Sequence, residues 1–383
     1  MNTRVDIAVV GAGAAGISAA VCAARTGAKT LLLDSRSAPG GTGGFSGLTT
    51  LCGLYDDAGN FLNEGFAREF AEALAERRAP ARLESDVAPP QRADQEIGAP
   101  IKMGRVWVLP YRPEKFRDLA ASLIGATPGL HAQWNTSLSE VVAANGRIVS
   151  LNGIQVGAVI DCTGTAEVAR AIGVETLATG ETTQAPAVIF PLRNVTRPLA
   201  TAADMAQVLL PLARAGLPSL NLQASLTPGE FTAKFAGTPE QVPQLLALLR
   251  ANVRGFEQCE TPQKEFSIAR RSGRMIVGQY VLTGADVLAG RKFPDAVARG
   301  AWPIEQWDAK GSVRFKYLPA GASYDIPARS LRAARVENLF MAGKSISADA
   351  DAIASARVMG ACLATGAAAG VLAADFVASS KLR

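Results

Sequence analysis

Residues 6–16, Asp6-Ile7-Ala8-Val9-Val10-Gly11-Ala12-Gly13-Ala14-Ala15-Gly16, decide the fold. Asp6 to Val10 is a short apolar run rich in β-branched residues, the pattern of a buried parallel strand. The glycines follow at once, and an alanine-rich helix is predicted from there to about Arg25. Thr30-Leu31-Leu32-Leu33 reads as a second strand ending at Asp34. Gly11 permits a tight turn, Gly13 lets the backbone approach a pyrophosphate, and Gly16 lets the helix pack close to the sheet. The helix start at Ala14 and Ala15 offers N–H groups and partial positive charge to phosphates. Asp34 suits a ribose diol. Strand, helix, second strand and terminal acid in this order predict a dinucleotide-binding βαβ unit.

The next residues choose between dinucleotides. Ser35 and Arg36 lead into Ser37-Ala38-Pro39-Gly40-Gly41-Thr42-Gly43-Gly44. Glycines there let the chain run along an extended FAD toward its ribityl and flavin. An NAD domain would continue into another crossover helix. Gly41, Thr42, Gly43 and Gly44 are therefore expected to contact FAD.

Composition narrows the class. The chain has 383 residues, enough for two domains, with 48% hydrophobic and 19% charged residues, and this balance argues against extensive disorder. The net charge of +5 is scattered, without a basic block interleaved with aromatics, so nucleic acid is not an expected partner. Cys22, Cys52, Cys162, Cys259 and Cys362 are odd in number and form no CxxC pair. They give no disulfide or metal framework and point to a reducing compartment. Ile7 to Ala24 looks like a signal sequence, but its glycines fit a cofactor-binding strand and helix better. No uninterrupted apolar run reaches the roughly 20 residues of a membrane span. A cytoplasmic protein is expected.

Further motifs carry a family resemblance. Val159-Ile160-Asp161-Cys162-Thr163-Gly164 is similar to a strand end "ID-x-TG". Arg270-Arg271-Ser272-Gly273-Arg274 precedes Gly278-Gln279-Tyr280-Val281-Leu282-Thr283, similar to "G-x-Y-x-L-T". Tyr324-Asp325-Ile326-Pro327 with Ser330-Leu331 resembles "Y-x-IP-x-x-SL". Asn338-Leu339-Phe340-Met341-Ala342-Gly343-Lys344-Ser345-Ile346-Ser347 resembles "NLxxAGxxIS", followed by Ser355-Ala356-Arg357-Val358-Met359 and a helix of small residues. The sequence thus resembles the FAD-dependent oxidoreductases of the glutathione-reductase-like flavoprotein superfamily, in the branch related to fumarate reductase flavoproteins.

The resemblance implies an α/β fold: a discontinuous Rossmann-like FAD-binding domain, with a parallel central sheet and a small antiparallel sheet, and a second mixed α+β substrate domain. The FAD domain is placed at 1–48, 108–172 and 325–383, the substrate domain at 49–107 and 173–324. Pro113 to Ile124 reads as a helix with Phe116, Leu119, Ala120 and Leu123 on one face. Leu130 to Trp134 reads as a strand. Asn145-Gly146 marks a hairpin between Ser139–Val142 and Ile148–Leu151. Ala187 to Leu192 reads as a strand of the substrate domain, Asp204–Ala215 and Pro239–Val253 as helices. Arg77 to Pro100 is expected to be a long loop.

FAD is expected to be held non-covalently, through the residues above together with Thr163, Gly164, Gly343, Lys344, Ala354 and Ser355. Leu339 to Ala342 reads as a buried strand ending where the ribityl chain approaches. A helix beginning near Ala352 to Ser355 would aim its first N–H groups at the flavin N1 and C2 carbonyl, favouring the anionic reduced form.

Catalytic candidates are few. The single histidine, His131, lies in a strand and serves structure, which argues against histidine acid–base chemistry, a Ser-His-Asp triad and a histidyl–flavin bond. Tyr55 follows the glycine-rich run and can enter the pocket; Cys52 beside it suits either the pocket or the core. Arg270 and Arg271 can clamp a carboxylate or tie the domains together by an ion pair. Tyr324 can offer a phenol, and Asp349 can stand near the flavin. With one GxGxxG unit and no CxxxxC pair, the leading expectation is a dehydrogenase or oxidase passing hydride from a small organic substrate to flavin N5. Oxygen, a quinone or a partner protein would then reoxidise it. Alternatives are a flavin-dependent monooxygenase and a non-catalytic or partner-dependent flavoprotein subunit.

Overall fold

The computed structural model describes residues 4–75, 99–178, 186–197, 199, 202–271, 273–308 and 313–381. Its main sheet is built around the first strand, Arg4–Val10. That strand pairs in parallel with Thr30–Leu33 on one side and Ile154–Asp161 on the other. Thr30–Leu33 pairs onward with Leu130–Gln133, and Ile154–Asp161 with Leu339–Met341, again in parallel. The register aligns Val10 with Leu33 and with Asp161, Leu33 with Gln133, and Met341 with Asp161. Five carboxyl ends therefore lie along one edge, where ligands of open α/β sheets bind.

The first helix, Ala14–Arg25, falls where the sequence predicts it. It packs against the C-terminal helix, Met359–Lys381, through glycine. A Cβ on Gly366 would lie 2.1 Å from the Ala15 carbonyl oxygen, and one on Gly370 2.4 Å from that of Ala19. The buried Ser18 hydroxyl donates to the Leu363 carbonyl across the same seam. The C-terminal helix runs through Gly366, Gly370 and Asp375 without a break, as the helix of small residues expected there. By length and composition alone it is long and apolar enough to cross a membrane, yet most of it is buried in the fold. A helix apolar on nearly every side is what packing between a sheet and a neighbouring helix requires.

The hairpin forms as expected, with strands Val141–Ala144 and Arg147–Leu151. Asn145 and Gly146 have φ of 51° and 73°, the left-handed pair that a tight two-residue turn needs. Helix Pro113–Ala126 buries Phe116, Ala120 and Ile124, with Leu119 and Leu123 half-buried beside them. His131 is exposed on the edge strand.

A second core surrounds an antiparallel sheet in the order Leu220–Ala224, Phe231–Phe235, Ala187–Leu192, Ser267–Ala269. Helices Ala202–Arg214 and Val242–Asn252 cover it, burying Val208, Leu212, Leu245 and Leu249 against Phe190 and Phe235. This separate core spans only Val188 to Cys259. The flanking pieces of the expected substrate domain behave differently: Leu51, Leu54, Phe66, Phe70, Leu282, Val287, Ala298 and Ile304 all join the main core. The expected loop of Arg77 to Pro100 falls largely on residues 76–98, outside the described residues. Two short segments, Thr176–Ala178 leaving the main sheet and Arg274–Ile276 returning toward it, pair antiparallel.

Asn338 locks the main sheet to the hairpin. It is 1% exposed; its Oδ1 accepts from the Ile148 N–H at 2.8 Å, and its Nδ2 donates to the Ile148 and Gly157 carbonyls at 2.8 and 3.0 Å. Asn338→Ala removes all three bonds and strands buried backbone groups, at a cost of about 3 kcal/mol. Urea unfolding measures this, and a loss below about 1 kcal/mol would show that the sheet does not depend on the side chain.

Candidate active site

The first helix starts without a cap of its own. Gly13 at the cap position makes no side-chain hydrogen bond, and the first turn holds no acidic residue. The first-turn amides and the dipole behind them thus face whatever anion approaches. Three glycines hold this start in place for different reasons. Gly11 has φ +98°, and a Cβ there would meet the Cys162 carbonyl at 2.8 Å. Gly16 lies on the Gly11 carbonyl, 1.6 Å from where its own Cβ would be. A Cβ on Gly13 would meet nothing within 4 Å. Gly11 and Gly16 serve the fold; Gly13 faces a cradle that a side chain would fill, which fits a diphosphate approaching the backbone.

Asp34 joins the same place. Its carboxylate accepts from the Ala12 N–H at 2.5 Å and the Arg36 N–H at 2.8 Å, which fixes it at the strand end. The glycine run takes a form the sequence did not suggest. Gly41 to Phe45 is a short helix, with Gly40 donating to the Ala12 carbonyl and Gly41 against the Gly13 Cα. Gly43 sits on the Phe116 ring and Gly44 on Arg117, so both glycines are packing positions. Thr42 is exposed, as are Ser35 and Arg36. The Arg36 guanidinium lies 5.3 Å from the Phe45 ring, and that of Arg117 lies at the same distance.

A second group meets at the ends of Ile154–Asp161 and Leu339–Met341. Gly343 lies against the Ala15 methyl group, and Gly164 against the Lys344 side chain. The Thr163 amide is engaged by Asp161 and the Gly164 amide by the Ser345 hydroxyl, at 3.0 and 3.1 Å, so neither is directed outward. Asp161 is fully buried; burial raises its pKa against hydrogen bonds from Thr163, Val168 and Ser345 that hold it ionised.

Lys344 leads from this edge into a cluster of charges. Its Nζ lies 3.4 Å from the Arg270 carbonyl oxygen. Arg271 turns inward, its guanidinium 3.9 Å from the Trp307 ring centre. Arg270 points outward and is exposed, because neighbouring extended residues project to opposite sides; the two arginines do not form one clamp. Arg357 supplies the second inward guanidinium. It stands in the break between helices Ala350–Ala356 and Met359–Lys381, where the Cys362 thiol donates to its carbonyl at 3.2 Å.

Glu305 is the carboxylate of the cluster, accepting from the Trp302 and Trp307 indoles at 3.1 and 2.6 Å. Burial alone would raise its pKa, but Arg357, the indoles and Arg271 hold it below the usual carboxylate range. Burial lowers Arg271 to about 10, with Arg357 adding to the shift and Glu305 opposing it. Lys344 is lowered by burial and by Arg357. Burial pushes the Cys52 and Cys362 thiols up to about 11 and about 12, which removes them as nucleophiles near neutral pH. Arg271, Glu305, Lys344, Arg357 and Cys52 are deeply surrounded by protein, yet each keeps some water-accessible surface. Groups that line a recess have this property; groups filling a core do not.

Other candidates fall elsewhere. Tyr324 is wholly buried against Gly300, and its hydroxyl is 2.7 Å from the Ser355 hydroxyl, so it packs the core. Ala354 and Ser355 are not at a helix start. The helix begins at Ala350, capped by Asp349 accepting from the Ala352 N–H, and both residues lie fully buried in its last turn. Their amides are used inside the helix, and the long helix expected there starts at Met359. Tyr55, its phenol pushed up to about 12 by burial, stacks on Phe61 and lines a cavity of about 40 Å³ with Arg105, Trp302 and Tyr317. That space admits a few waters, not a flavin. The sequence reading missed Trp302, Glu305 and Trp307 and quoted Arg357 only within a motif. The alternation in Glu305-Gln306-Trp307 was the available clue.

Residues 6–211 and 207–382 match the model of a family described as FAD dependent oxidoreductase. Among solved structures, a geranylgeranyl bacteriochlorophyll reductase-like protein from Thermoplasma acidophilum shares the fold: TM-score 0.52 and 14% identity over 99% of this chain and 80% of that one. GidA from Aquifex aeolicus aligns at TM-score 0.49 and 13% identity, over 98% of this chain and 64% of its own. A flavoprotein/dehydrogenase from Cytophaga hutchinsonii aligns at 0.48 and 14%, over 98% and 79%. No curated protein sequence matches the chain.

The cradle at Gly13 can be tested apart from the fold. Its φ of −77° and ψ of −174° are open to any residue. Gly13→Ala should leave the stability of the cofactor-free protein within about 0.5 kcal/mol, while FAD affinity falls at least about tenfold, or 1.4 kcal/mol. Thermal unfolding and fluorimetric FAD titration check the two halves. Undiminished affinity would remove Gly13 from the diphosphate site.

Proposed function

Because the chain belongs to the FAD dependent oxidoreductase family, we propose that it oxidises or reduces a small organic substrate by hydride exchange with a non-covalently held FAD. The observation that carries this reading is the uncapped helix start beside Asp34 at the carboxyl edge of the parallel sheet. Bound FAD would supply the two-electron chemistry, taking up or giving back the hydride that the substrate loses or gains.

The residues of the chain then have separable tasks. The amides of Ala14 and Ala15 and the space at Gly13 take the diphosphate. Asp34, held by the Ala12 and Arg36 amides, accepts from the ribose diol. Gly343, pressed on Ala15, brings the chain near the ribityl path, and Lys344 carries positive charge from that point into the recess. Trp302 and Trp307, fixed by Glu305, give the recess its aromatic walls. Kinship with the fumarate reductase flavoproteins rests on the Asn338–Ser347 motif, and oxygen, a quinone or a partner protein serves as electron acceptor.

Reconstitution tests the proposal. Protein incubated with excess FAD and desalted should be yellow, release intact FAD on denaturation and bleach with dithionite. An anaerobic screen of hydroxy acids, amino acids, amines and alcohols should then find a compound that bleaches the visible flavin band. Protein that stays colourless overturns the cofactor assignment. A flavin reducible by dithionite but by no organic substrate would favour a partner-dependent subunit.

A further inference from the structure

We infer that Asp351 is a positioning residue: through Gln306 and Lys316 its carboxylate fixes where Glu305 and Trp307 stand in the recess. Its bearing on the flavin rests on the reading above; its bearing on the fold does not. Among the described residues, strands Ile304–Trp307 and Val313–Lys316 pair only with each other, Ile304 opposite Lys316 and Gln306 opposite Arg314. A two-stranded unit has little stability of its own. The outer strand is exposed along its whole length. The stance of the pair is therefore set by what it touches.

Helix Ala350–Ala356 supplies the grip. Asp351 accepts from the Gln306 Nε2 at 2.5 Å and from the Lys316 Nζ at 2.8 Å, one oxygen to each strand. One turn further along the same helix face, the Ser355 hydroxyl donates to the Trp302 carbonyl at 2.5 Å. The Asp351 stem is confined. A Cβ on Gly284 would lie 2.5 Å from the Asp351 Cβ, and the Gly284 amide is itself tied to the Asp349 cap at 3.0 Å. Successive strand residues project to opposite sides, so holding Gln306 on the helix aims Glu305 and Trp307 away from it. On that far side Glu305 receives both indoles, Arg271 lies on Trp307, and Glu305 is electrostatically coupled to Arg357 and Arg271. Trp302 before the strand pair and Tyr317 after it also wall the cavity of about 40 Å³. The ion pair with Lys316 is exposed to solvent and adds little. The Gln306 arm carries the hold.

Trp107→Phe and Trp134→Phe leave Trp302 and Trp307 as the emitters among the four tryptophans of the chain. In that background Asp351→Ala and Gln306→Ala should each raise acrylamide quenching of the cofactor-free protein about twofold. The double variant should be no worse than either, because both cut the same bond. Asp351→Asn, which keeps an acceptor for Gln306, should restore most of the wild-type signal, and Lys316→Met should hardly change it. In FAD-loaded protein both alanine variants let the Glu305 charge recede from the recess, which favours the anionic reduced flavin. The midpoint potential should rise by about 14 mV, a threefold gain for a two-electron couple. Affinity for oxidised FAD should stay within about twofold.

Quenching that rises in Asp351→Ala but not in Gln306→Ala overturns the inference, since Asp351 would then serve only the dipole at its own helix start. Quenching unchanged in both overturns it too. Loosened tryptophans with an unmoved potential overturn the bearing on the flavin and leave the clasp as scaffold. Protein that takes up no FAD overturns the flavin reading instead, and cofactor-free quenching still decides the clasp. Gln306→Ala, at a half-buried position, supplies the answer where Asp351→Ala does not fold.

Discussion

The Gly11 carbonyl and the Cα of Gly16 are in direct contact, and the site depends on that closeness. No side chain fits between them. The contact fixes the angle at which the first helix leaves the first strand, and hence where its uncapped amides point. It also brings Ala15 into reach of Gly343 and Gly366, so the C-terminal segments close over the same helix. The helix start, the Gly343 turn and the C-terminal helix are therefore one closely packed construction. The dipole gains its effect from being held still, because a preorganised donor spends nothing on reorientation when the anion arrives.

Two buried charge arrangements stand a short way apart and have opposite logic. Asp161 is enclosed and surrounded by donors from Thr163, Val168 and Ser345, so its hydrogen bonds are complete and it braces the strand end. The recess is a different case: Arg271, Glu305, Lys344 and Arg357 are deeply surrounded, yet each keeps some accessible surface. A satisfied buried network gives rigidity, whereas charged groups with shifted titration that solvent can reach are candidates for binding a ligand.

The start of the chain was legible because its signals are local. Strand period, glycine spacing and terminal acid lie within some thirty residues, the length of one βαβ unit. The Asn145-Gly146 hairpin was legible for the same reason, and Leu339–Met341 because a buried strand bounded by glycine has few other readings. The recess was not. Trp302, Glu305 and Trp307 reach Arg271 and Arg357 only when strand Ile304–Trp307 packs on helix Ala350–Ala356. The helix break at Arg357 escaped notice because no proline marks it; Gly360, seated on the Gly53 backbone, belongs to a contact invisible in the local pattern. The same long-range packing placed Tyr324 and Ser355 in the core rather than in the pocket.

The glycine seam between the first and the C-terminal helix also bears on how the molecule is made. A ribosome delivers the strand and helix of Arg4–Arg25 well before the wall supplied by Gly343, Gly366 and Gly370. Until then the first helix presents a naked apolar flank, and the half-built cleft has little to grip a cofactor with. The nascent amino-terminal half is thus the species whose exposed apolar flank chaperones have most reason to cover.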